Sequence, residues 1–288
     1  MRVVALVALV ALTGCGGPSV LDPHGTIASQ NRIILLDSLA IMLAIVVPTI
    51  ATTLGFAWWF RAGNSKATYR PHFVYSGRIE LVVWSIPTLV ILFLGGIIWI
   101  GSQRLDPFRP IESSAKPLEL QAISLDWKWL FIYPDQHVAA LNQLVVPADR
   151  PLHFTLTSAS VMNAFFVPQL GSMIYTMNGM RTQLHLQADH EGTFHGLSAQ
   201  FSGDGFPGMN FTVRAVSPAA FDDWVKSTQG TGPTLDQAEY KRLLAQSMND
   251  PPATYRAVAD RLFEAVVAQE LPPGPGPTPA IRPHVGEK

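Results

Sequence analysis

Charge is what this sequence has least of. Only 14% of its 288 residues are charged and the formal net charge is −1, whereas soluble domains average about 25% charged. A near-neutral chain has no basic footprint for nucleic acid, so that class of partner is excluded. Cysteine is almost missing: Cys15 stands alone. One thiol cannot build an internal disulfide, a Cys-paired zinc site or an iron–sulfur cluster. A phosphate-binding glycine loop is also lacking, because Gly203-Asp-Gly205 follows a polar stretch and opens no helix. What is present is apolar: 48% of residues are hydrophobic and the mean hydropathy is +0.22. That excludes disorder along the whole chain. It points to a membrane-attached protein with room for one modest soluble domain.

The N-terminus carries Arg2, an apolar run over 3–12, and then Leu12-Thr-Gly-Cys15. The run is too short to span a bilayer and reads as a signal peptide over 1–14. Its last four residues resemble a bacterial lipobox, which implies cleavage before Cys15 and lipid on the Cys15 sulfur. The alternative is an ordinary signal peptide with a chance cysteine. Residues 15–37 are expected as a periplasmic segment.

Two stretches, 38–60 and 81–103, contain no charged residue. At about 1.5 Å per residue each reaches roughly 35 Å as a helix, enough to cross a bilayer with some tilt. Trp58, Trp59, Trp84 and Trp99 lie at their ends, as in an aromatic belt. Pro48 and Pro87 are tolerable inside spanning helices. The connection over 61–80 holds Arg61, Lys66, Arg70 and Arg78, and its one acid, Glu80, comes at the very end. The positive-inside rule places this loop in the cytoplasm and both chain ends in the periplasm. Glu80 stands at the cytoplasmic mouth of the second stretch, where physics alone favours an interfacial carboxylate paired with Arg78 or snorkelling.

From Leu118 the pattern changes to period-two alternation. Leu118-Glu-Leu-Gln-Ala-Ile-Ser124, Leu152-His-Phe-Thr-Leu-Thr157, Arg181-Thr-Gln-Leu-His-Leu-Gln187 and Asn210-Phe-Thr-Val-Arg-Ala215 alternate apolar and polar residues. Turn residues such as Pro134-Asp135 and Asn178-Gly179 separate them. These features predict a β-sandwich or barrel over 104–216. Beyond it, Ser217-Pro218 opens a helix to about Lys226, and Thr234-Leu-Asp-Gln237 reads as a capping box. The stripe Tyr255, Val258, Ala259, Leu262, Phe263, Val266, Val267 predicts a third helix. Residues 217–271 thus form a helical arm, and the Pro/Gly-rich 272–288 a disordered tail.

His185, His190 and His195 recur five residues apart and invite a metal site. His185, flanked by Leu184 and Leu186, points to the outer face of its strand, and His153 likewise opposes an apolar face. The next histidine, five residues on, falls on the opposite face, so surface histidines outweigh a site.

One segment is more specific: Ser198-Ala-Gln-Phe-Ser202-Gly-Asp-Gly-Phe206-Pro-Gly-Met209. It resembles the copper A loop of cytochrome c oxidase subunit II, Cys-x-Glu-x-Cys-x3-His-x2-Met. Ser198 and Ser202 occupy the thiolate positions, Gln200 that of the acid with the ligating carbonyl, and Phe206 that of a histidine. Only Met209 is kept. Upstream, Asn163 in Ser160-Val-Met-Asn163 takes the place of the other histidine. Two hydroxyls, an amide and a phenyl ring cannot replace soft thiolates and imidazoles around copper.

This pattern of loss resembles subunit II of the cytochrome bo-type ubiquinol oxidases, in the heme–copper oxidase superfamily. The lipobox, the hairpin with Ile79-Glu80 before Trp84 and Pro87, and Asp126-Trp-Lys-Trp-Leu-Phe-Ile-Tyr-Pro134 also carry it. So do Leu170-Gly-Ser-Met-Ile-Tyr175 and Met177-Asn-Gly-Met180. The resemblance implies a two-helix transmembrane hairpin, an all-β cupredoxin-like Greek-key barrel and a small α-helical C-terminal arm. It implies a bacterial inner-membrane, lipid-anchored protein that supports and caps a separate catalytic subunit I. That subunit would hold two hemes and copper B, oxidise ubiquinol, reduce oxygen to water and pump protons. Subunits III and IV are the other implied partners. No cofactor is implied for this chain, and no contact with cytochrome c. Glu80 matches the family carboxylate near the K proton channel. Trp127 and Trp129 match the aromatic stretch where copper-bearing relatives accept electrons, and are expected here as packing residues.

Two rival readings stay open at this point. One is a cytochrome c oxidase subunit with unusual copper ligands; metal analysis separates it. The other is a free-standing lipoprotein binding module, for which two spanning helices are redundant beside a lipid anchor; co-purification of hemes separates it.

Overall fold

A computed structural model of the chain describes residues 20–68 and 70–276. The chain divides into two compact units, residues 32–106 and the remainder. Cys15, the whole expected signal peptide and the tail beyond residue 276 lie outside the described residues.

The smaller unit holds all but the first six residues of a helical hairpin. Helix α1 spans Thr26–Trp59 and α2 spans Gly77–Arg104, both long and apolar enough to cross a membrane. Their side chains are exposed along the length, including Leu54, Phe56, Leu81, Trp84, Leu92 and Trp99. Pro48 and Pro87 both lie inside their helices. Helix α1 begins well before the uncharged stretch at 38. The charge-free window marks what lipid can bury, whereas the helix propagates from Gly25 because no glycine or proline interrupts it until Pro48. At Gly101 a Cβ would lie 2.9 Å from the Ile34 Cδ1. A small residue there lets the two helices approach.

The larger unit is a two-sheet β-domain with an arm. The first sheet has the order β12-β3-β2-β1-β5-β8 and the second β4-β10-β9-β6-β7. Their ranges are β1 Leu118–Leu125, β2 Lys128–Tyr133, β3 Val138–Leu141, β4 Gln143–Pro147 and β5 Leu152–Ser158. There follow β6 Asn163–Phe166, β7 Ile174–Thr176, β8 Thr182–Leu186, β9 Gly192–Ser198, β10 Asn210–Val216 and β12 Ala253–Tyr255. Strand β1 runs antiparallel to β2 and parallel to β5, the mixed pairing of a cupredoxin-like domain rather than a simple meander. Between the sheets lies an aromatic core. Trp129 meets Phe165 edge-on at 5.3 Å, and Phe165 stacks on Phe211 at 5.1 Å. Tyr133 is fully buried; its hydroxyl donates to Val145 O and accepts from Val145 N, each at 2.9 Å. Burial pushes its phenol well above the usual range.

The arm adds a second core on the other face of the first sheet. There Ile123, Leu130 and Ile132 pack with Leu235, Tyr240 and Phe263. Its helices are α3 Pro218–Gly230, α4 Gln237–Leu243 and α5 Leu262–Val267, with strands β11 Thr234–Leu235 and β13 Ala257–Val258 between them. The Ser217 hydroxyl caps α3 as expected, accepting from Ala220 N. Two expectations are corrected. Thr234 is on β11, and the cap of α4 is Asp236, which accepts from Glu239 N. The stripe from Tyr255 to Val267 is not one helix. Tyr255 pairs with Ala139 on β3, and Arg261, at φ +56°, turns the chain just before α5. An open sheet edge satisfies backbone groups that the side-chain period alone assigns to a helix. The start of the expected tail is also held: Gly274 N donates to Ala159 O at 2.8 Å and Gly276 N to the Asp126 carboxylate at 2.9 Å.

Candidate functional site

The segment over 198–209 folds back on itself at the end of β9. Ser198 N donates to Met209 O at 3.1 Å, and Phe206–Gly208 forms a 3-10 turn with Pro207 near its start. Gly203 adopts φ +109°, a conformation that only glycine takes without strain. Beneath the loop, the Trp127 indole donates to Ser202 O at 3.1 Å. A Cβ at Gly205 would meet the Trp127 ring at 2.3 Å, so glycine is required by close approach.

The loop brings the expected positions together. Asn163, Ser198, Ser202 and Met209 are all buried. The Ser198 hydroxyl donates to Asn163 Oδ1 at 3.0 Å and lies 3.4 Å from Gln200 O. The Ser202 hydroxyl faces the Met209 sulfur at 4.0 Å. Asn163 Nδ2 donates to Val161 O at 3.3 Å. Phe206 sits on the turn and meets the exposed Phe201 ring edge-on at 5.6 Å. Thus the Gln200 carbonyl lies beside Ser198, but the groups around it are neutral hydroxyl, amide and thioether. They hydrogen-bond to one another instead of presenting anionic or imidazole donors. This donor set does not fit a copper pair. Among the described residues no group of three or more His, Cys, Asp or Glu could hold a metal ion.

The other expected residues fall elsewhere. Glu80 lies in the first turn of α2, where its carboxylate accepts from the Trp84 indole at 3.1 Å; among the described residues it meets Trp84 and not Arg78. His195 is exposed. His185 does face outward from β8, yet it is buried under Pro107. His190 pairs with His24.

Two matches with protein families bear on this arrangement. The family described as "Cytochrome C oxidase subunit II, periplasmic domain" matches residues 136–216, and "COX Aromatic Rich Motif" matches 229–274. Among whole proteins, the cytochrome bo(3) ubiquinol oxidase subunit 2 of Pseudomonas aeruginosa is 43% identical over 93% of this chain and 81% of its own. The ubiquinol oxidase subunit 2 of Acetobacter aceti is 43% identical, covering 93% and 87%. The quinol oxidase subunit 2 of Bacillus spizizenii is 36% identical, covering 85% and 77%. The chain belongs to the quinol oxidase subunit 2 family.

As a quinol oxidase subunit 2, it devotes its buried charges to the arm, which sequence reasoning missed. Lys128 is buried at 3% exposure. Its ammonium donates to Ala245 O at 2.9 Å and to the Ser247 hydroxyl, and pairs with Asp250 at 3.1 Å. Asn142 bridges the same places, accepting from Trp129 N at 2.8 Å and donating to Asp250 O at 2.9 Å. Asp126 accepts from the Ser160 hydroxyl, from Gly276 N and from Gln246. The only signal available was an acid and a base close together in Asp126-Trp-Lys128, with nothing to show that their partners lie far along the chain. In the arm, burial and the neighbouring Glu239 push the Tyr255 phenol up to about 12.

Proposed function

We propose that this chain is the second subunit of a proton-pumping terminal ubiquinol oxidase, in which it performs no electron-transfer step itself. The observation that carries the reading is the neutral, self-bonded set Asn163, Ser198, Ser202 and Met209 at the positions of copper ligands. Such a set cannot take electrons from cytochrome c, so electrons enter from ubiquinol in the membrane. Subunit I then supplies the two hemes and copper B and carries out the reduction of oxygen to water. This chain supports and caps it, with subunits III and IV as further partners. The protein lies in a bacterial inner membrane with Cys15 lipidated, and with its N-terminus and β-domain in the periplasm. The basic loop after α1 supports that orientation.

Oxygen uptake by the purified oxidase, given ubiquinol and reduced cytochrome c in parallel, tests this. Uptake with ubiquinol alone is expected, and uptake driven by cytochrome c overturns it.

Glu80, at the cytoplasmic end of α2, serves proton uptake into the K channel of subunit I. The Trp84 indole holds its carboxylate near the helix N-terminus, where negative charge is favoured. Glu80→Gln is expected to slow turnover severalfold with assembly intact. Unchanged turnover in a fully assembled variant rejects the role.

A further inference from the structure

The chain runs into the helical hairpin after residue 31 and returns to the β-domain at Pro107. On both flanks a pair of imidazoles takes part in the contact with the β-domain, and both pairs draw on the short segment 185–190.

On the first flank, His24 Nδ1 lies 2.7 Å from His190 Nε2, and His24 Nε2 lies 3.0 Å from the Asp22 carboxylate. Backbone bonds surround the pair. His24 N donates to Gln169 O at 2.8 Å and Asp189 N donates to His24 O at 2.9 Å. The Phe194 ring packs against both imidazoles. On the second flank, the Pro107 carbonyl accepts from His185 N at 3.1 Å and from His185 Nδ1 at 3.2 Å. The His185 ring stacks on His153 at 4.6 Å with 10° between planes, and His153 Nδ1 lies 2.7 Å from the Glu119 carboxylate. Glu119, His153 and His185 stand in register across β1, β5 and β8. The second ring nitrogen of His153 is buried and has no hydrogen-bond partner among the described residues.

Hydrogen-bonding rules limit how many protons each pair can carry. The contact between His24 and His190 needs one donor and one acceptor, so two imidazolium rings would face each other donor to donor. In the stacked pair, two positive rings would share the one carboxylate of Glu119. Burial is the main cause that lowers the His185 pKa. The Pro107 carbonyl and Glu119 act against it, while a charged His153 adds to it.

Other charged groups stand near both flanks. Asp189 is held by the Thr26 hydroxyl at 3.0 Å, and Glu191 adjoins His190 in the chain. The N-terminus of α1, just after His24, disfavours added positive charge. Asp106 and Arg181 adjoin the second flank in sequence, and Glu264 of α5 reaches that sheet face through Gln121 at 3.5 Å.

We propose that the two histidine pairs form a pH-sensitive fastening of the hairpin's flanks to the β-domain, holding while one ring of each pair is neutral and letting go on acidification. The sign follows from linkage. His185 binds its proton less readily when docked than when free. Docking of the second flank is therefore at full strength above the ordinary histidine value of about 6.5 and weakens as pH falls below it.

Hydrogen exchange on the full-length chain in detergent micelles, read amide by amide and corrected for intrinsic rates, tests this between pH 7.5 and 5.0. The amides of His185 and Asp189 report the two flanks, and Ile123 in β1 serves as the core reference. Protection at 185 and 189 is expected to fall about tenfold or more, with a slope no steeper than about tenfold per pH unit for each proton, while Ile123 stays protected. His185→Gln keeps a donor for Pro107 without a titrating ring, so amide 185 stays protected at pH 5.0 while 189 still loosens. His190→Gln gives the reverse. Unchanged protection at 185 and 189, a loss shared by Ile123, or variants that loosen like the parent each overturn the proposal. If a variant fails to fold, the parent titration decides alone.

Discussion

Two of the buried polar clusters in the β-domain are built on opposite terms. Around 198–209 the buried side-chain groups are neutral: hydroxyls, an amide and a thioether satisfy one another within one loop and one neighbouring strand, while Asp204 is exposed. Around Asp126 and Lys128 the groups are charged, and their partners at 245–250 and 276 come from the far end of the chain. The loop satisfies its buried polar atoms with local, weak bonds. The clamp holds a separate element, the arm, and a buried ammonium is stable there only because a carboxylate and a carbonyl meet it. The comparison shows that buried polar atoms can be satisfied either by near neighbours in one loop or by partners far along the chain.

Breaking the charged cluster should cost most. Lys128→Met removes the ammonium and leaves Asp250 and the Ala245 carbonyl without it, at about 2–3 kcal/mol. Thermal unfolding should show the loss, and trypsin should then cut the arm at Arg256 or Arg261 in the native state. An arm as resistant as in the parent would mean that apolar packing alone holds it. Next in size is Gly205→Ala, which drives a methyl into the Trp127 ring and should cost about 2 kcal/mol. Near-ultraviolet circular dichroism, compared with Trp127→Phe, would register the displaced indole. The smallest effect belongs to the neutral cluster: Ser198→Ala takes the donor from Asn163 Oδ1 and should cost about 1 kcal/mol in urea unfolding. A cost equal to that of Lys128→Met would erase the distinction between the two clusters.

The same contrast explains what the sequence could reveal. Strands β1, β5, β8 and β10 were legible because each has a wetter face, and their bounds match the alternation to within a residue or two. Strands β2 and β3 were not. Trp129 and Phe131 face the inner core while Leu130 and Ile132 face the arm, so no alternation remains to be read. The loop positions Ser198, Ser202, Phe206 and Met209 could be placed by spacing, because a loop's neighbours are close in sequence. Lys128 could not, since nothing near it in sequence names Asp250. For His185 the face was correct, but its cover, Pro107, comes from a distant segment.

The pairing of the sheets has a further consequence for the order of folding. Strand β4 finds its neighbour only in β10, through Val145 and Arg214, and β3 completes its edge only with β12, through Leu141 and Ala253. A chain made from its N-terminus therefore cannot seal the second sheet before Val216, or the first before Tyr255, has been synthesised. Such distant pairings mean slow closure and a long interval with unpaired edges. For the first sheet it is the arm, through β12, that ends that interval.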